Sequence, residues 1–432
     1  MSDAALALTV QPFRPMSLSL RELYSLLFGV LAVNVPGFIQ FDTSNRSHDH
    51  GILNPQSICR ILLYLLVTLV GCRAWQKQRT ALSARRLRGT GYLTALWLFF
   101  LIMSMAWPLS QVALSIYRLG EWAVMYCIVI ALYSRIAPDE APAYLSRLFF
   151  RLALIPIILV LIVLPLAPDL AFADLDDATG VITGRLGGSM FYPNMLALLA
   201  NTIVFYSYLL KTGWRRIGGM AFGATVLFFT YSRSGMISLV VCLFLLLLLY
   251  GNVWRRVFGI GIVSAGVLGI MAYSGKIVEF LARGHGDDNL STLSERVQVW
   301  MASYEMFRQR PFSGYGYIAG PKEWLGIYVG SAHWMPPHAH NELIQAVLCA
   351  GIFGGLALLL LYLLVIRAAF RLDYSRRENV FLAVVLVALL LSSIVAPLLT
   401  RESTLEAALF LLLSVHLLNL PRHQEKANAS TA

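Results

Sequence analysis

The stretch 340–366, HNELIQAVLCAGIFGGLALLLLYLLVI, decides the fold. From Leu343 to Ile366 it holds no charged side chain. At about 1.5 Å per residue, a helix of this length crosses a hydrocarbon core about 30 Å thick. A strand reading fails, because membrane barrels show short segments of alternating polarity and this run is apolar throughout. The run nevertheless opens on His340, Asn341 and Glu342, three polar residues placed where the helix meets the membrane surface. Membrane span and candidate chemistry therefore adjoin.

Similar runs recur outward from this one along all 432 residues. The composition is 58% hydrophobic and 13% charged, about half the charge of an ordinary soluble domain. That excludes a soluble enzyme, a disordered chain and a secreted disulfide scaffold. About twelve spans are predicted, near 18–41, 57–74, 90–109, 112–134, 147–167, 190–210, 214–231, 234–250, 254–275, 340–366, 378–398 and 403–420. The expectation is an all-α polytopic protein, one integral membrane domain over 1–432. Its N-terminus, MSDAALALTVQPFRP, lacks the charged start and cleavage site of a signal peptide, so the first span is expected to persist. Cys59, Cys72, Cys127, Cys242 and Cys349 form no close pairs, which argues against a disulfide framework or a metal cluster.

Orientation follows from the loops. Arg73, Lys77, Arg79, Arg85, Arg86 and Arg88 lie between spans 2 and 3, and alternate loops after that are again basic, at 135–147, 211–216, 255–256 and 367–377. Lys and Arg collect on the cytoplasmic side, so both termini are expected there, and the net charge of +11 reflects this bias rather than nucleic-acid binding. Two outward loops stand apart. One, 168–189, is acidic with Asp169, Asp174, Asp176 and Asp177. The other, 276–339, is long and includes LSERVQVWMASYEMFRQR, where Val297, Trp300, Met301, Tyr304 and Phe307 recur at helical spacing. A long external loop with its own helix is where function is expected.

The polar residues without a bland explanation gather at the outer surface: Arg185, Asn194, Arg233, Arg296, His338, His340, Glu342 and Arg401. Arg233 lies in a tight hairpin between two apolar spans. It either snorkels to the headgroups or acts as an anion clamp, where its planar fork grips phosphate beside a helix N-terminus. Arg296 reads as a solvated helix charge or as a second clamp. Arg185 precedes Gly187 and Gly188, which permit close backbone approach. Asn194 suits a cap, an interhelical hydrogen bond or a ligand contact. His333, His338 and His340 cluster before span 10; an imidazole here is suited to take a proton near pH 7, and a zinc site would need further ligands that the neighbourhood lacks. Arg118 and Glu121, one turn apart, read as a self-neutralising pair. The doublets Asp176-Asp177 and Asp287-Asp288 read as solvated turns rather than cation sites.

Four blocks in order resemble the O-antigen ligase and polymerase superfamily: Pro193-Asn194; Ser232-Arg233; Arg296, Trp300, Pro311, Gly314 and Gly316 as R-x-x-x-W and P-x-x-G-x-G; and His340-Asn341 with Gly351 and Gly354 as H-N-x9-G-x-x-G. The last block is the most specific, and the resemblance covers about 180–400. It implies a glycosyltransferase of the type C kind in the bacterial inner membrane, with a periplasmic active site and with 276–339 as a large periplasmic loop inserted between spans 9 and 10. The implied reaction is an inverting, metal-independent transfer of a glycan from undecaprenyl diphosphate to a sugar hydroxyl of lipid A-core, without a cofactor. His340 or His338 is then the base, Arg233, Arg296 and Arg185 hold the diphosphate, and Asn194, Asn341, Glu342 and Arg401 support the site.

An O-antigen polymerase shares the donor chemistry and is the nearest rival. A transporter or flippase is the rival from another class, but its ionisable groups would sit near the bilayer midplane and its halves would repeat.

Overall fold

Inside hydrocarbon, backbone N–H and C=O groups must satisfy one another, and an unbroken apolar run does this as a helix. A computed structural model of the chain describes residues 19–33, 55–76, 89–105, 109–173, 184–188, 190–250, 257, 296–329, 336, 338–401 and 403–420. Helices α1 (Leu20–Ala32), α2 (Pro55–Gln76), α3 (Thr90–Ser104), α4 (Leu109–Tyr133) and α5 (Ala141–Val163) come first. A short α6 (Pro168–Ala171) leads into a two-stranded antiparallel ribbon, β1 (Phe172–Ala173) with β2 (Arg185–Leu186). Then follow α7 (Pro193–Leu210), α8 (Gly213–Phe229) and α9 (Arg233–Tyr250). Helices α10 (Arg296–Gln309) and α11 (Ala319–Val329) precede α12 (Glu342–Ala369), α13 (Arg377–Ser393) and α14 (Leu405–Leu418).

The expected spans 1–8 and 10–12 thus correspond to α1–α5, α7–α9 and α12–α14; the ninth, 254–275, lies outside the described residues apart from Val257. Five helices are long and apolar enough to cross a membrane, within α2, α4, α5, α7 and α12, and α3, α9 and α14 are apolar but shorter. The protein is a mostly helical, multi-pass membrane protein.

Local sequence sets the helix ends. Ser19 and Glu22 make a reciprocal capping box at α1, Thr404 accepts from Ala407 N at α14, and proline occupies the first turn of α5 and α7. Helix α7 is apolar nearly all round and is correspondingly enclosed, packed against α5, α8, α9 and α13. Gly223 lets α8 approach it closely, since a Cβ there would meet Ala200 O at 2.8 Å. Phe150 stacks on Tyr206 with centroids 4.3 Å apart, and Phe381 of α13 meets the same ring edge-on.

One end of the bundle gathers the pair Arg21–Glu140 at 3.0 Å and the contact of Arg376 with Asp139 O at 3.5 Å. These join loops expected on the same side. The opposite end carries β1–β2, the α8–α9 turn, α10 and the start of α12.

The amphipathic face expected on α10 is rotated. Val299, Ala302, Ser303 and Met306 are buried, whereas Met301 and Tyr304 are 66% and 60% exposed. Smaller side chains let α10 sit close to its neighbours, and its buried stripe forms a satellite core with Tyr315, Leu325 and Leu348.

Candidate active site

Two motif blocks build a platform at the α8–α9 turn. Asn194, in the first turn of α7, accepts on Oδ1 from Arg185 Nη2 at 3.1 Å and from Ser232 Oγ at 2.9 Å. Arg185 also donates from Nε to Thr230 O at 3.0 Å. Ser232 Oγ in turn accepts from Gly235 N at 3.1 Å, which makes it the N-cap of α9. The β1–β2 ribbon delivers Arg185, and Gly187 (φ +118°) and Gly188 (φ +56°) turn the chain back under it. A Cβ on Gly188 would meet Leu170 O at 2.2 Å. So the PN and SR blocks, far apart in sequence, are two halves of one hydrogen-bonded joint. Arg233 leaves this joint as the first residue of α9, with its Nε buried and without a hydrogen-bond partner.

The HN block is held from both sides. Ala339 is fully buried; its N donates to Gln345 Oε1 at 2.8 Å and its O accepts from Trp300 Nε1 at 3.0 Å. His340 then adopts φ +53°, a strained conformation for a non-glycine residue, and donates its N–H to His338 Nδ1 at 3.2 Å. The two rings meet edge to face, with centroids 4.4 Å apart. Asn341 caps α12 by accepting from Ile344 N at 3.1 Å.

The glycines of the other two blocks meet each other. Helix α12 breaks at Ala350 and Gly351 (φ +63°), and the Pro311–Gly316 turn docks into the break. Tyr315 N donates to Leu348 O at 2.7 Å, Gly316 N to Cys349 O at 2.9 Å, and Ile352 N to Pro311 O at 2.8 Å. Cβ atoms on Gly314 or Gly351 would lie 2.5 Å or 2.4 Å from opposing backbone. This joint fixes α10 against α12, and with it Arg296 against His340.

Glu342 plays a positioning part. Its buried carboxylate accepts from Leu398 N, Leu399 N (3.1 Å), Thr400 N (3.0 Å) and Thr400 Oγ1 (3.1 Å). It thereby organises the turn that presents Arg401. Tyr317 holds the same turn through its hydroxyl on Leu399 O, and its backbone is pinned by Ser104 and Ser115. The guanidinium of Arg401 lies 5.1 Å from the centroid of the Tyr192 ring, next to Pro193-Asn194.

The charges of these segments act on one another. Burial pushes the Arg296 guanidinium down from its usual range, and the positive charge of Arg233 pushes it further. Burial, then Arg296, then Arg401, push the His340 imidazolium down to about 4, so the ring is neutral at pH 7. Among the described residues, Arg233, Arg296 and Arg401 have no carboxylate in ion-pair contact. Such a cluster repels itself and is stabilised by an anion.

The structure therefore brings together Arg185, Asn194, Arg233, Arg296, His338, His340, Asn341, Glu342 and Arg401. Arg118 and Glu121 pair at 2.9 Å inside the bundle, as read from their spacing. His333, Asp174, Asp176, Asp177, Asp287 and Asp288 lie outside the described residues. Gln345, Thr400, Tyr192 and Tyr317 were not anticipated. Gln345 follows His340 within the same helix start, and its polarity in an apolar run was the available signal.

Comparison with known proteins adds to this geometry. No curated protein matches the chain. A family model described as O-antigen ligase matches residues 218–359. That segment runs from α8 into α12 and contains the SR, R-x-x-x-W, P-x-x-G-x-G and HN blocks, with the PN block just before it. Through residues 218–359, about a third of its length, this membrane protein is similar to the O-antigen ligase family.

Proposed function

We propose that the protein transfers a glycan from undecaprenyl diphosphate to a sugar hydroxyl of lipid A-core, with inversion and without a metal, at the periplasmic face of the inner membrane. The family supports an O-antigen ligase or polymerase type of function in lipopolysaccharide biosynthesis. The observation that carries the finer reading is the mutual field of Arg233, Arg296, His340 and Arg401: an imidazole held neutral stands beside guanidinium groups that have no ion-pair partner among the described residues.

In this reading the diphosphate lies between Arg233 and Arg296. Each presents a planar fork suited to bidentate contact with phosphate oxygens. The N-terminus of α9, capped by Ser232, adds backbone N–H groups pointing toward the leaving group. Arg185 contributes charge while two of its N–H contacts hold the platform. As the glycosidic C–O bond breaks, negative charge builds on the diphosphate, and fixed cations in a low-dielectric site stabilise it. A diphosphate leaves readily, so the demanding proton step is removal of the hydrogen from the acceptor hydroxyl. His340 takes that proton.

The roles of the two histidines differ. His338 uses its Nδ1 lone pair to accept from His340 N, so in its neutral form its hydrogen is on Nε2. It supports the strained turn, and His340 is the residue assigned as base.

The test is transfer by purified protein in lipid nanodiscs, offered lipid-linked glycan as donor, with lipid A-core and a second lipid-linked glycan as competing acceptors. Release of undecaprenyl diphosphate coupled to glycosylated lipid A-core supports a ligase. Growth of the lipid-linked chain instead selects the polymerase, and no turnover with either acceptor rejects glycosyl transfer.

A further inference from the structure

The rotation of α10 leaves an apolar stripe on its outer side. Val297, Met301 and Tyr304 recur at i, i+4 and i+7, so they share one line of the helix, which Arg308 continues. Val297 is half-buried, and Met301 and Tyr304 are exposed. Gln298, Glu305 and Gln309 repeat the spacing one residue further on, and all three are exposed. The buried line, with Val299, Ala302 and Met306, clusters with Leu325 of α11 and Leu348 of α12. Helix α10 thus has a packed side, a polar side, and a side that is apolar and exposed.

The depth of this third side follows from α12. Arg367, in the last turn of that helix, marks one border of the hydrocarbon, because its charge is carried to the headgroups. Phe353 lies about 21 Å before it at 1.5 Å per residue, inside a core about 30 Å thick. The break at Ala350 and Gly351 falls outside that stretch, so the helical rise holds along it. Phe353, Leu356, Leu360 and Leu363 are exposed along one face of α12, which is therefore its lipid face. The Phe312 ring meets Phe353 with centroids 6.1 Å apart and is itself 65% exposed. Phe312 is accordingly at hydrocarbon depth.

That contact ties α10 to the same leaflet. Phe312 closely follows the helix, and Ile352 N donates to Pro311 O beside it at 2.8 Å, so the turn cannot lift away from α12 without losing backbone bonds. The exposed apolar surface of α12 continues through Phe312 toward the outer stripe of α10. Leu348, clustered with Val299 and Met306, lies beyond the break, near the opposite border of the hydrocarbon. A helix at that border, polar on one exposed side and apolar on the other, has the distribution of an interfacial helix. The apolar face of such a helix sinks about 5–10 Å into the headgroup–acyl boundary. Arg308, exposed at the end of the apolar line, lays its stem along lipid and carries its charge up to the headgroups.

We propose that α10 is an interfacial helix whose Val297–Met301–Tyr304 stripe, continued by Phe312, is seated among the phospholipids of the leaflet that borders the site. Arg296 opens this helix, so the bilayer surface itself sets the height at which that guanidinium stands. This lipid contact is independent of the reaction the site performs.

The test uses full-length wild-type protein in nanodiscs of phosphatidylethanolamine and phosphatidylglycerol, doped with a phospholipid that bears a diazirine near the carboxyl end of one acyl chain. After irradiation, mass spectrometry is expected to find lipid adducts at Met301, Tyr304 or Phe312, alongside those on 353–363 that report the lipid face of α12. Adducts on 353–363 with none on 297–312 overturn the lipid contact, and a dimer seen by native mass spectrometry in that sample would give the face to a second copy. As an independent measurement, Met301→Glu combined with Tyr304→Glu is expected to speed backbone hydrogen exchange across 296–309 at least tenfold in nanodiscs, with 377–393 unchanged. Met301→Leu combined with Tyr304→Phe stays apolar and is expected to keep the slow exchange. Unaltered exchange in the glutamate variant would mean that the stripe faces water, which also overturns the contact.

Discussion

The backbone N–H of His340 donates to Nδ1 of His338 at 3.2 Å, and this bond gives two neighbouring imidazoles different chemistry. The lone pair of neutral His338 is engaged by the turn. His340, forced to φ +53° by that turn, is the ring whose field joins Arg296 and Arg401.

His340→Ala is therefore expected to lower kcat by about 10²–10⁴-fold, the usual worth of a positioned base. His338→Ala is expected to cost about tenfold, through loss of one hydrogen bond that orients the turn. Steady-state transfer rates of the two single variants decide this, and a larger loss in His338→Ala would exchange the roles.

The pH profile follows from the His340 shift. The base works only when neutral, and in the free protein burial and two arginines hold its pKa down to about 4. Activity as kcat/KM is expected to stay level from neutral pH to about one unit above that value and to fall below it. Bound diphosphate offsets the positive field and raises the pKa, so the acid limb of kcat is expected at higher pH than that of kcat/KM. Coincident limbs would show that no anion binds beside the imidazole.

Arg233→Lys and Arg296→Lys keep the charge and lose the planar fork. Each is expected to reduce kcat/KM for the donor by at least tenfold while membrane insertion stays normal. Full activity of the lysine variants would point to a diffuse electrostatic role without bidentate contact.

Gly351→Ala places a Cβ 2.4 Å from the backbone of Phe312 at a residue with φ +63°. The conformation alone costs of order 1–3 kcal/mol, and the collision adds to it. The variant is expected to unfold at lower temperature in detergent and to lose transfer, because the docked Pro311–Gly316 turn is what holds Arg296 near His340. Gly355→Ala meets side chain at 2.5 Å, where the nearest backbone atom is 4.0 Å away, and is expected to be milder.

Glu342→Gln leaves the turn at 398–400 with an amide facing backbone donors. Each buried N–H that loses its acceptor costs about 1–3 kcal/mol. Lower stability is expected together with a weaker effect of Arg401 on His340, read as an acid limb of kcat/KM displaced to higher pH. A stability loss with an unmoved limb would confine Glu342 to a structural part.

Much of this was legible in the residues. Uncharged runs such as 343–366 announced helices because the bilayer permits little else, and ordered blocks from Pro193 to Gly354 pointed to the family. The rotated face of α10 was not legible: spacing marked Met301 and Tyr304 as apolar, yet the small residues Ala302 and Ser303 govern how closely a helix can approach its neighbours. Nor did spacing reveal that Asn194 and Ser232 are bonded, that Gly314 docks on Gly351, or that Gln345 and Trp300 hold the two sides of one residue.

Sequence alone determined the solvent in which this chain folds, because hydrophobicity and charge are summed over local segments and need no partner to be read. It also supplied the chemical alphabet of the site, since a guanidinium or an imidazole has its donors, acceptors and planar geometry from its own bonds. Only tertiary structure decided which of those groups share a field, which imidazole accepts the backbone N–H of the turn, and which glycines are contacts between helices. Electrostatic coupling and backbone docking depend on distances across the bundle, and those distances arise only when segments hundreds of residues apart pack together.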